Sequence, residues 1–141
     1  MTGSDTGPAT NAMQDKVLLA ARLLVTPLFI YSGIGKILAF GVTASRLPGG
    51  EGGFGGFLAA GSIVIELGCS LALVLGLYAR CASLALIMFT ILATLMFHNF
   101  WASPPAAVTA QTINFLKNLG LIGLFAMIAA FGPGAYALRK K

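Results

Sequence analysis

Charge is what this chain has least of. Only 9% of its 141 residues are charged, and just four are Asp or Glu. Soluble domains carry about 25% charged residues, so the polar surface of a water-facing fold is lacking. Histidine occurs once and cysteine twice. One histidine excludes a bis-histidine haem site, although the methionines leave mixed ligation open. Cys69 and Cys81 show neither C-x-x-C nor metal-ligand spacing and read as small apolar fillers. P-loop, triad and metal-cluster patterns are missing too, so no intrinsic cofactor and no metal are expected. The net charge is +5, yet Lys and Arg stand singly apart from Arg139-Lys140-Lys141. Without a basic stripe there is no nucleic-acid surface. The basic tail reads as a topology signal or an anionic-lipid contact.

What is abundant is apolar sequence, 57% of residues with a mean hydropathy of +0.90. Four stretches, 17–40, 57–78, 82–102 and 112–131, each approach the roughly 20 residues a spanning helix needs. Residues 1–15 are polar and rich in Gly, Thr and Ser, and are expected to form a disordered tail before a single domain, 16–141. The first stretch resembles a signal peptide at its start. No A-x-A-like site follows, so it is read as a retained helix, kinked at Pro27.

Connections set the topology. The Gly-rich segment 41–56 follows no strand, so it fails as a nucleotide loop and reads as a flexible loop over the bundle mouth. The second connection, near Tyr78-Ala79-Arg80, is very short, and Pro104-Pro105 ends the third stretch. These features predict an all-α fold, an integral membrane four-helix bundle running up-down-up-down. Lys16, Arg22, Arg80 and the basic tail fall on one side, against Arg46 and Lys36 on the other. Both termini are therefore expected in the cytoplasm.

Glu66 lies well inside the second apolar stretch. An ionisable residue at a helix centre costs about 2.5–3.5 kcal/mol on insertion scales, and the short side chain of Glu66 cannot reach the headgroups. From its stretch boundary it lies about 14 Å deep, with Lys36, His98 and Lys117 about 6–9 Å below the same side. Polar or small residues accompany each at helical spacing: Ser32 and Gly33 by Lys36, Ser62 and Ser70 by Glu66, Thr90 and Thr94 by His98. On the fourth stretch Gln111, Asn114 and Asn118 accompany Lys117. Lipid cannot satisfy such faces, so they should turn inward around an outward-opening polar chamber. Glu66 is expected to pair with Lys117, or second with Lys36. Lys36 and Lys117 alone fit snorkelling lysines, and Trp101 beside His98 fits an interfacial aromatic belt as well as a ligand contact.

Several blocks occur in order: "FIYSGIGKI" (29–37), "IELGCSLALVLGLYAR" (65–80), "FHNFW" (97–101), "NFLKNLGLIGLF" (114–125) and "FGPGAYAL" (131–138). Together they resemble DoxX-like membrane proteins. The resemblance implies a small four-helix protein of the bacterial inner membrane. It also implies association with redox chemistry, as in the small subunit of thiosulfate:quinone oxidoreductase or of a terminal quinol oxidase. Gly33, Lys36, Glu66, Gly76, Arg80, Asn114, Lys117 and Gly132-Pro133-Gly134 match the family pattern. Ala137-Leu138-Arg139 departs from the Ser-Leu-Asp with which relatives often end.

The leading expectation is a quinone- or quinol-linked subunit. Glu66, Lys117 and His98 are its candidate catalytic groups, and Lys36, Asn114 and Trp101 its candidate cofactor contacts. Quinone is the one cofactor the donors suit, and a partner redox subunit or a second copy of the chain would sit beside it in lipid. The alternatives are a non-catalytic anchor or assembly subunit, and a small transporter or proton pathway. The last lacks an evident inverted repeat.

Overall fold

The computed structural model describes residues 8–138, and the side chains of 11–138. Among them four helices are long and apolar enough to cross a membrane: Asn11–Leu38, Phe54–Leu75, Ala79–Ala102 and Pro105–Phe131. They are called the first to fourth helices below. The first begins at Pro8, so residues 8–15, expected in a disordered tail, are helical; 1–7 and the basic tail 139–141 lie outside the described residues. Asp15 gives this extension a tertiary role, its Oδ1 accepting the Ala135 N–H at 2.8 Å.

The fourth helix also begins early, at Pro105 rather than near residue 112. Proline at the first helical position is pre-set for helix and lacks only an N–H that would be unpaired there. Pro105 therefore starts this helix, and Pro104, at φ −57° and ψ 149°, delivers the chain in extended form. The second helix ends at Gly76, whose φ of 69° lets Leu77 N–H reach Ala72 O (2.8 Å) and Gly76 N–H reach Leu73 O (3.1 Å). That is a Schellman closure.

Contacts along the bundle fix its antiparallel order. Lys36, late in the first helix, meets Glu66 of the second, and His98, at the end of the third, meets Gln111 of the fourth. At the other end Arg22 and Asp15 meet the second helix and the C-terminal segment. The core is Val25, Phe29, Leu73, Ala79, Ala82, Leu86, Phe125 and Ile128. Large apolar side chains such as Leu24, Tyr31, Phe57 and Val64 point outward, as lipid-facing positions should.

The long connection is built rather than open. Residues Phe40–Ser45 form a short helix, and Gly49 and Gly50 turn the chain at positive φ. Ala44 of that short helix is fully buried.

Candidate functional site

The site starts from a close approach of two helices. Gly33 faces the second helix so tightly that a Cβ there would stand 2.8 Å from Leu67 and 3.5 Å from Cβ of Glu66. Ile65–Cys69 is a π-helical turn within the second helix. Such wide turns hold one extra residue and recur at functional sites. The two features bring Lys36 Nζ to 2.6 Å from Glu66 Oε2. Glu66 is 2% exposed. Its expected partner was Lys117, with Lys36 second; the structure makes the second choice.

Lys117 misses for two reasons. The early start at Pro105 puts it about 18 Å along the fourth helix, not a few residues from its end. At about 100° per residue, it also lies about 100° around the axis from Asn118. Asn118 points inward and donates to Thr94 Oγ1 at 2.8 Å, whereas Lys117 is exposed on the flank. On the first helix the same arithmetic aligns Lys36 with buried Leu18, Arg22, Val25 and Phe29.

The ion pair forms part of the wall of a cavity of about 620 Å³. Phe29, Ile65, Phe89 and Met96 give it apolar sides, and His98, Asn118 and Thr90 add polar points. Lys36 Nζ also stands 5.0 Å from the centroid of the Phe89 ring, within cation–π range. Thr90 is 3% exposed and its Oγ1 has no hydrogen-bond partner. His98 Nδ1 and Gln111 Oε1 share a 2.8 Å hydrogen bond; with the proton on Nδ1, Nε2 is left as an acceptor. Thr43 and Leu47 of the long connection close one end. A cavity does stand among these helices, but it is largely apolar rather than the polar chamber expected from the sequence.

Lys117 and Asn114 line a smaller neighbouring space of about 470 Å³, together with His98. Trp101 is brought to neither cavity. Its ring packs edge-on against Phe100 and Phe115, at centroid distances of 5.1 and 5.9 Å, and it is 60% exposed. Trp101 thus packs with aromatic neighbours, away from both cavities. Cys69 is partly buried and Cys81 exposed, both as free thiols. Among the described residues no group of His, Cys, Asp and Glu could hold a metal.

A second polar site at the opposite end was not expected from the sequence. Arg22, fully buried, donates from Nη1 to Leu73 O at 3.0 Å and from Nη2 to Tyr136 O. Leu138 N–H reaches Leu75 O at 3.0 Å. The segment after the fourth helix is thereby strapped across the bundle end. An arginine fourteen residues before Lys36, on the same helical face, was the available signal.

These helices, the glycine at the crossing and the buried Lys–Glu pair meet an independent match. A family model described as DoxX covers residues 17–99. The chain belongs to the DoxX family. Inner membrane protein YqjF of Escherichia coli (strain K12) is 33% identical over 128 residues, spanning 91% of this chain and 93% of that protein. Inner membrane protein YphA of the same strain is 29% identical over 130 residues, spanning 92% and 93%. No solved structure matches. The DoxX match ends at residue 99, so it contains Lys36, Glu66 and His98 but not Lys117.

Proposed function

We propose that this DoxX protein is a multi-pass inner-membrane subunit whose interhelical cavity takes the head of a quinone or quinol. The observation that carries the reading is the Lys36–Glu66 pair in the wall of a largely apolar space of about 620 Å³. Ligand pockets of about 300–1,000 Å³ combine apolar walls with a few placed polar groups. The residues fit such a head: Thr90 Oγ1 is a buried hydroxyl without a partner on the cavity wall, and a ligand oxygen would satisfy it. A bound quinone supplies acceptor chemistry for two electrons and two protons. Lys36 offers an ammonium donor beside it. Glu66 holds or releases one proton at its carboxylate, with Lys36 compensating its charge. His98 adds a ring nitrogen to the cavity wall.

A partner subunit carrying the redox centre is part of the proposal. Inner-membrane location is taken from the relatives and the four spans. Cytoplasmic termini are proposed from Lys16, Arg22 and Arg80 at the terminal end of the bundle, against Arg46 at the other. Purification from native membranes, with organic extraction and identification of co-purifying subunits, tests the reading. Bound quinone with a redox partner supports it. A partner without quinone points to an anchoring role instead.

A further inference from the structure

The cavity is bordered on two sides by different kinds of structure. On the side of the long connection, Thr43 and Leu47 line it, and that connection meets the start of the second helix backbone on backbone. A Cβ at Gly55 would stand 2.5 Å from Ala44 O. Toward the fourth helix, the smaller space lies alongside. Leu28, His98, Asn118 and Leu121 line both spaces, so these side chains are the wall between them. Its rim carries Lys117, Asn114 and Gly120. Leu28 is 54% exposed, and Leu116 and Leu119 on the same stretch of the fourth helix are also exposed, which places the rim in the lipid-facing surface. Side-chain rotamers change in picoseconds to nanoseconds, whereas loops move more slowly. The side-chain wall is the easier one to open.

We propose that the cleft between the first and fourth helices is a lateral port, through which a membrane-dissolved amphiphile passes its polar head into the ion-pair cavity. Lys117 and Asn114 serve the port, offering N–H donors to oxygen atoms of the entering head. The Asn118–Thr94 and His98–Gln111 hydrogen bonds hold the inner wall shut. The choice of a quinone-like amphiphile rests on the proposed function; the port itself rests on the shared wall. Gly120 provides the handle, because no heavy atom lies within 4 Å of a Cβ built there. A side chain there can therefore start into the cleft without its Cβ meeting a neighbour. Gly61, on the cavity wall, has the same open surroundings.

The test uses the full chain in lipid nanodiscs, with Cys69→Ala and Cys81→Ala removing the native thiols and Gly61→Cys placing one in the cavity. Two probes are compared, a dodecyl maleimide dissolved in the bilayer and a sulfonated maleimide confined to water. The lipophilic probe is expected to label faster. Gly120→Leu should slow it about tenfold, the effect of about 1.4 kcal/mol added to the barrier, and Gly120→Ala less. Leu28→Ala, which thins the wall, should speed it. The port is overturned if Gly120→Leu leaves the lipophilic rate unchanged with its melting temperature intact, or if the sulfonated probe labels as fast as the lipophilic one. Quinone is not needed for this measurement. Gated labelling of a protein that binds no quinone therefore fails the ligand reading alone.

Discussion

Removing Lys36 should harm this protein more than removing the whole ion pair. At 2.6 Å and an effective dielectric near 20, the gross attraction between Lys36 and Glu66 is about 6 kcal/mol. Desolvation of two ions takes back several kcal/mol each, so a buried pair is often no better than a well-packed apolar one. Breaking it is another matter, because an uncompensated buried charge costs about 3–5 kcal/mol. Glu66 is 2% exposed and cannot rehydrate; the side chain of Lys36 is 24% exposed and can turn outward. Lys36→Met should therefore be the most destabilising single change, by about 3 kcal/mol or more, unless the carboxyl takes up a proton. Glu66→Leu should cost less, and the double variant should return to within about 1 kcal/mol of wild type. Unfolding in a mild detergent, followed by circular dichroism over a full double-mutant cycle, measures the coupling. A coupling energy near zero, with Lys36→Met and the double variant equally stable, would refute the reasoning.

Other consequences follow from particular contacts. Arg22→Met removes two charge-assisted hydrogen bonds, each worth about 1.5–3 kcal/mol, and should free the segment after Gly132 for limited proteolysis; Arg22→Lys should rescue only partly, since an ammonium lacks the fork. Gly76→Ala should destabilise by more than about 1 kcal/mol, because φ is 69° and its Cβ would stand 2.5 Å from Arg22 Nη1 and from Ala137; thermal melting checks it. Trp101→Phe should leave quinone retention unchanged, as its ring faces Phe100 and Phe115 rather than the cavity; equal extractable quinone supports this. Gly52→Cys, an exposed site in the long connection, should label from outside intact cells, and labelling only after the inner face is opened would reverse the proposed topology.

The bundle was legible because hydropathy and length alone decide which segments can cross a membrane. Glu66 was legible for the same reason: a short carboxylate in an apolar helix needs a partner. Its partner was harder to read. The sequence suggests that helices start after prolines and polar segments, yet Pro105 initiates the fourth helix, and depths counted from residue 112 put Lys117 too near the boundary. The π-helical turn at Ile65–Cys69 has no sequence signature of its own and re-aims Glu66 beyond simple periodicity. Gly33 reads from the sequence as a small companion of Lys36, but only the crossing shows that its missing Cβ admits the second helix. The Arg22 clamp escaped notice because its acceptors are backbone carbonyls, which every residue carries and no motif marks.

The central claim is that the cavity beside Lys36 and Glu66 holds a quinone. Its most direct test is extraction and quantification of quinone from wild-type protein and from Gly61→Leu, both purified in native lipid. A Cβ at Gly61 meets no heavy atom within 4 Å, and Gly61 lines the cavity, so the added side chain is expected to take cavity space while the fold is kept. Quinone in near-stoichiometric amount with wild type, and its loss in Gly61→Leu at an unchanged melting temperature, is the predicted result. Equal quinone in both, or none above the lipid background in wild type, would contradict the account.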